Sequence, residues 1–247
     1  MTEWSVREGI IETDNKEAKE RIVYAAIQLF SKKGFDATSV TEIAQSANVT
    51  KALIYYYFKS KEEILDSLVH SLLDRITSIT MDFVHANIVQ MIQTGRLDIE
   101  PDRLTFASED DTAYFLENGY QYFEKVLNFA LENRAIIRIL MFESLKSSKN
   151  HNELFRLMSF PGENDADPLL ETISQADKDF NYSADMVMFK FFYTIFPLVN
   201  FAVYYDDYKT VSGQTEEELR STFLRTFKTI SSSLISEKGI LLRYKSV

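Results

Sequence analysis

The chain has no cysteine. That absence excludes disulfides, thiolate nucleophiles and cysteine-bound zinc, and it fits a reducing compartment. Seven glycines and four prolines in 247 residues are few for a fold built on many turns, which favours long helices over short strands. His70, His85 and His151 stand at no metal-ligand spacing. No HExxH, G-x-S-x-G or glycine-rich phosphate loop is present, so an enzyme, a metal and a cofactor are not expected. The paired acids Asp110-Asp111 and Asp206-Asp207 read as solvated charges at loop or helix ends. There is no long uninterrupted apolar run either. The most apolar stretch, Met186 to Tyr205, is broken by Lys190, Pro197 and Asn200, and reads as a buried interface helix rather than a membrane span. The first residues show no basic region followed by an apolar run, so no secretory leader is expected. These features point to a cytoplasmic protein without a membrane partner.

What is present is a core and an uneven charge. Forty-five percent of residues are hydrophobic, enough to bury a substantial interior. The net charge of −10 hides a basic window. Residues 16–61 hold eight Lys/Arg against four acids, residues 1–15 are net −3, and residues 62–247 are net −11. A window of this size also arises by chance, so charge alone does not identify a polyanion partner.

Local chemistry is more specific. Residues 1–15 lack a sustained period and read as an arm or a short extra turn. From Ala18 a helical stripe begins with Ile22, Ala26, Leu29 and Phe30, and Lys32-Lys33-Gly34 marks its end. Ser39-Val40-Thr41-Glu42 is a capping box, after which Val40, Ile43, Ala44 and Ala47 form a short apolar face. Asn48 can adopt the left-handed backbone of a sharp turn. Thr50 is a good N-cap for a third helix, with Val49 and Ile54 as its hydrophobic staple. Ser60-Lys61-Glu62-Glu63 forms a second box and opens a fourth helix, expected to run to about Gln90. Three helices with a three-residue turn between the last two make a helix-turn-helix over about residues 39–58. In TKALIYYYF, helical spacing turns Ile54, Tyr57 and Phe58 inward and leaves Lys51, Ala52, Leu53, Tyr55 and Tyr56 pointing elsewhere. Such residues suit a DNA major groove: Lys51 for guanine, Leu53 for a thymine methyl, Ala52 for close approach. Tyr55, Tyr56, Lys59 and Lys61 suit phosphates, as do Ser39, Thr41 and Thr50 at helix N-termini. An ordinary helical hairpin would also explain the buried aromatics.

These residues resemble the DNA-binding domain of the TetR family of transcriptional regulators. The resemblance lies in Ala-x-x-Leu-Phe-x-x-x-Gly-Phe at 26–35, Thr38-Ser39-Val40 with Ile43-Ala44, and Tyr57-Phe58-Lys59-Ser60-Lys61-Glu62. Asn48 departs from the family's usual Gly, and Tyr56 from a frequent His. The resemblance implies an all-α fold: an N-terminal three-helix DNA-binding domain and a larger C-terminal helical domain for ligand binding and dimerisation. The expected division is arm 1–15, DNA-binding domain 16–76 and regulatory domain 77–247. It also implies a repressor that binds a near-palindromic operator as a homodimer and is released by a small apolar or amphipathic effector acting through the fourth helix. The rival readings are an effector-free DNA-binding structural factor on the same scaffold, and an enzyme or carrier with a vestigial motif.

Beyond the fourth helix, residues 94–111 read as a loop. Helices are expected at about 112–132, 134–147, 183–206 and 215–237. Pro197 should kink its helix or fall at a break. Phe189, Phe192 and Phe196, with Phe223, Phe227, Ile230 and Leu234, form two stripes that suit either a dimer interface or the protomer's own core. Phe115, Tyr120, Phe123, Phe129, Phe142, Phe155, Met158, Met188 and Tyr193 could line an apolar pocket, but aromatics at helical spacing are more often core. No ligand-binding residue is singled out.

Overall fold

The computed structural model describes residues 3–100, 103–146, 152–154, 168–178 and 188–236, without the side chains of 3–16, 103, 168, 170, 189 and 232–236. In chain order the elements are α1 (Glu3–Lys33), α2 (Val40–Ser46), α3 (Lys51–Tyr57) and α4 (Lys61–Phe83). A π-helical segment (Val84–Val89) then leads into α5 (Gln90–Gln93), followed by strands β1 (Leu97–Glu100) and β2 (Arg103–Phe106). Helices α6 (Glu109–Glu132), α7 (Arg134–Ser144) and α8 (Pro168–Ala176) come next. A second π-helical segment (Phe189–Ile195) precedes α9 (Phe196–Ser212) and α10 (Glu216–Ser236). The chain divides into two compact units: Met1–Leu73 with Ala135–Leu154, and Asp74–Arg134 with Phe155–Val247.

In the first unit, α1 begins at Glu3, earlier than the arm expected over 1–15. A nucleated helix extends at little cost per residue, and residues 3–17 contain no proline to stop it. The helix ends at Gly34, whose φ of 90° is open to glycine and whose N–H donates to the Phe30 carbonyl at 2.9 Å. Helices of seven residues are marginal alone, so α2 and α3 depend on their caps and on burial. Ser39 caps α2 with both arms of the capping box formed. Asn48 takes the left-handed conformation, φ 52°, and Thr50 caps α3. At the start of α4 the second box is offset by one residue. The Ser60 hydroxyl accepts from the Glu63 N–H, but the Glu63 carboxylate accepts from the N–H of Lys59 at 2.5 Å. The buried interior includes Ile22, Ala26, Phe30, Ile43, Ile54, Phe58 and Leu65, and α7 adds Ile136, Ile137, Ile139 and Leu140 to this unit's buried set.

In the second unit the expected loop contains an antiparallel hairpin, with Leu97 opposite Phe106 and Ile99 opposite Leu104. Alternation in Leu-x-Ile and Leu-x-Phe around Pro101-Asp102 was the available signal, over strands too short to stand out. Ile99 packs on a cluster of Val84, Leu169 and Ile173. Phe106 meets Phe115, which meets Phe83, which stacks on Tyr122 at 4.5 Å. The Tyr122 hydroxyl lies 2.9 Å from Thr80 Oγ1, and burial pushes its pKa up. Pro197 lies in the first turn of α9, directly after the second π segment, where its missing N–H is tolerated.

Candidate nucleic-acid interface

The geometry of α3 follows from two anchors. Ile54 is fully buried and Phe58 nearly so, and the Phe58 N–H closes the helix on the Ile54 carbonyl at 2.8 Å. Tyr57 is half-buried, its ring edge-on to Tyr56 at 5.0 Å. With that side fixed, Lys51, Ala52, Tyr55 and Tyr56 are exposed and Leu53 is half-exposed. Tyr56 keeps 74% of its surface accessible and Tyr55 49%, large values for aromatic residues with no packing partner on that side. Thr50 Oγ1 accepts from the Leu53 N–H at 3.2 Å, setting the start of the helix. The ammonium of Lys51 lies 5.9 Å from the Tyr55 ring, so that cation and that phenol share one face.

At α2, Ser39 and Thr41 are exposed. Glu42 is held by Lys33 and by the Ser39 N–H and hydroxyl. The Lys33 bond, followed by those from Ser39, lowers its pKa to about 2.

The structure changes the account of the basic window, because four of its eight cations serve the fold. Lys33 pairs with Glu42, and Arg21 Nε donates to the Ala47 carbonyl at 3.3 Å. Lys19 lies over the Phe58 ring at 5.6 Å. Lys61, expected at a phosphate, is the clearest correction. Its ammonium donates to the carbonyls of Phe35 (3.0 Å), Asp36 (3.3 Å) and Thr38 (3.2 Å) and lies 4.5 Å from the Phe35 ring centre. Three donors on three carbonyls leave this ammonium nothing further to offer an anion. The α1–α2 turn carries carbonyls outside the helical ladder, and Lys61, in the first turn of α4, is within reach of them. Lys32, Lys51 and Lys59 are exposed.

Sequence reading did not single out a further residue at the same turn. Lys146, just past α7, donates to Glu143 at 2.6 Å and to the Asp36 carboxylate at 3.1 Å. The i, i+3 spacing of Glu143 and Lys146 was its only trace in the sequence.

Two of the residues expected at a dimer interface serve their own protomer. Phe223 stacks on Phe201 at 4.1 Å, and Phe227 stacks on Phe123, because α6 and α9 offer rings to the inner side of α10. Phe196 is half-buried, while Phe192 and Ile230 are exposed. The side chains of Phe189 and Leu234 lie outside the described residues. The exposed apolar groups of α9 are instead Tyr204, Tyr208 and Val211, at helical spacing on one stripe. Among the pocket candidates, Phe123 and Phe129 are buried core, Phe142, Met188 and Tyr193 are exposed, and Phe155 and Met158 lie outside the described residues. An open crevice of about 390 Å³ is lined by Leu131, Arg134, Tyr205, Glu216 and Arg220 among others. Its cations are already paired, Arg134 with Asp206 at 2.9 Å and Arg220 with Glu124.

Residues 22–68 match the family model described as bacterial regulatory proteins, tetR family. The chain is 43% identical over 63 residues to the biofilm operon icaADBC HTH-type negative transcriptional regulator IcaR of Staphylococcus aureus. That match covers 26% of this chain and 34% of IcaR, so the chain spans about a third of the length of the curated relatives it matches first. Two solved structures share the fold over most of both chains. Salmonella enterica GusR gives a TM-score of 0.51 at 16% identity, covering 88% of this chain and 95% of its own. Bacillus subtilis FadR, solved with stearoyl-CoA, gives 0.51 at 15% identity, covering 88% and 97%.

Proposed function

We propose that the chain, whose residues 22–68 match the tetR family of bacterial regulatory proteins, is a homodimeric, sequence-specific DNA-binding repressor released from its operator by a small molecule. The observation that carries this reading is the exposed face of α3, with Lys51, Ala52, Tyr55 and Tyr56 outward over Ile54 and Phe58. A protein with no partner for this face would leave two tyrosines in water without return. In the major groove, Lys51 donates to guanine O6 or N7 and Leu53 meets a thymine methyl, while the tyrosine hydroxyls and Lys59 hold phosphates. Ser39, Thr41 and Thr50 bring helix N-termini to the backbone. Two copies reading successive grooves require a near-palindromic site.

Dimerisation in this reading uses the exposed stripe of α9, Tyr204, Tyr208 and Val211, and draws on the exposed Phe192 and Ile230 as well. The released state follows from an effector that binds the non-operator form more tightly and moves α4. An amphipathic acyl thioester is the first class to test, since FadR of the same fold was solved with stearoyl-CoA.

The deciding experiment is selection of bound fragments from the whole genome of the source organism, followed by titration of the best site. Lys51→Ala should relax base preference. Lys59→Ala should weaken all sites alike and flatten the salt dependence by about one unit. Binding indifferent to operator sequence would overturn the proposal.

A further inference from the structure

The turn Phe35–Thr38 sets where α2 begins, because Ser39, the residue after it, is the N-cap. The turn is held by several contacts. The Phe35 ring packs on Phe30 at 5.0 Å, and Thr38, buried, donates from Oγ1 to the Gly34 carbonyl at 2.9 Å. Lys61 gathers the three carbonyls described above. Among the turn's described contacts, the one from farthest along the chain is Lys146 on the Asp36 carboxylate, 110 residues away in sequence.

Lys146 itself is fixed from beneath. Glu143 is 1% exposed, and a buried carboxylate needs a cation and hydrogen bonds near it. The Lys146 ammonium supplies the cation at 2.6 Å, and the same ammonium reaches Asp36 at the surface. Its pKa is raised, chiefly by Glu143, so it stays charged across the physiological range. The division of the chain agrees: Ala135–Leu154 belongs to the same compact unit as α1, α2 and α3.

We propose that Lys146 is a positioning residue of the DNA-binding surface: anchored on buried Glu143, it holds Asp36 and so fixes the turn from which the N-terminus of α2 meets the phosphate backbone. The DNA-binding surface is therefore completed by a segment outside the helix-turn-helix, and residue 146 tunes operator affinity without touching DNA. This rests on the DNA-binding reading above.

The test uses the full chain and its selected operator, with affinity measured by fluorescence anisotropy across a salt series. Lys146→Met should weaken binding about threefold to fivefold, the size an exposed charge pair supports, with the salt slope unchanged. Lys146→Arg should bind as the parent does. In an Asp36→Asn background, Lys146→Met should have no further effect. Should Lys146→Met leave Glu143 too costly to fold, Glu143→Gln with Lys146→Met removes the buried charge and is read the same way. Parent-like affinity in Lys146→Met overturns the proposal, as does an equal loss in both Asp36 backgrounds. A flatter salt slope also overturns it, by making Lys146 a phosphate contact. If the parent protein binds no DNA, the DNA-binding reading falls separately. Amide exchange over 36–42 then decides whether Lys146 holds the turn: faster exchange in Lys146→Met supports the tie, and unchanged exchange sinks it.

Discussion

The two units are held together by different means. In the first, α2 and α3 are seven residues each, and their ends are fixed by Ser39, Thr50, Lys61 and Lys146. In the second, α6, α9 and α10 are 17 to 24 residues long and join through ring stacks, Phe123 with Phe227 and Phe201 with Phe223. Short helices that must present a surface need directional bonds to fix their position. Long helices can bury rings and tolerate small shifts. A reading surface therefore falls to the first kind of construction and a deformable body to the second.

Substitutions can break or sharpen that contrast. The largest effect is expected in the body: Phe123→Ala removes the ring that stacks on both Phe223 and Phe227 of α10 and should cost about 3–5 kcal/mol, read by denaturant unfolding. If the contrast is right, the loss appears in unfolding of α6 and α10 and not in amide protection of α2 and α3. Next comes Lys61→Met. Taking the ammonium from three turn carbonyls, of which Phe35 keeps the Thr38 N–H, should cost about 1–3 kcal/mol, with exchange rising in residues 35–42 first. An effect confined to DNA affinity and its salt slope would return Lys61 to the phosphate role. Thr50→Ala should cost about 1 kcal/mol through loss of the α3 cap, measured the same way, and a Thr50→Ser variant should recover most of it. The smallest effect is in pH. Glu42 has its pKa lowered from 4.5 to about 2 by Lys33 and Ser39, so its contribution is fully present above about pH 4.5 and is lost as pH falls toward 2. Glu42→Gln should lower the melting temperature slightly at pH 7 and flatten the acid limb over that window, so that the two curves converge as pH falls toward 2.

The first unit was largely legible in the sequence because its structure is set by local chemistry. The Ser39–Glu42 box, the left-handed Asn48 and the Thr50 cap each involve residues within a few positions of one another, and all three are formed. The outward face of α3 followed from helical spacing alone. What was not legible depended on distance. The three carbonyls held by Lys61 are more than twenty residues away, so a lysine beside a predicted DNA-binding helix looked like a phosphate ligand. Phe223 and Phe227 lie on a stripe that periodicity finds, but periodicity does not say which neighbour fills it. The hairpin at 97–106 was missed because four-residue strands give too little alternation, and the start of α1 because helix extension needs no signal of its own.

One feature of the first unit bears on how the protein is made. Asp36 leaves the ribosome 110 residues before Lys146, which at about 5–20 residues per second is several seconds or more of synthesis. The three N-terminal helices can collapse on their own core in that interval, but the last tie on their turn arrives only after more than half of the chain has emerged. A truncated product ending before α7 would carry every residue of the reading face and still lack the stitch that sets its angle.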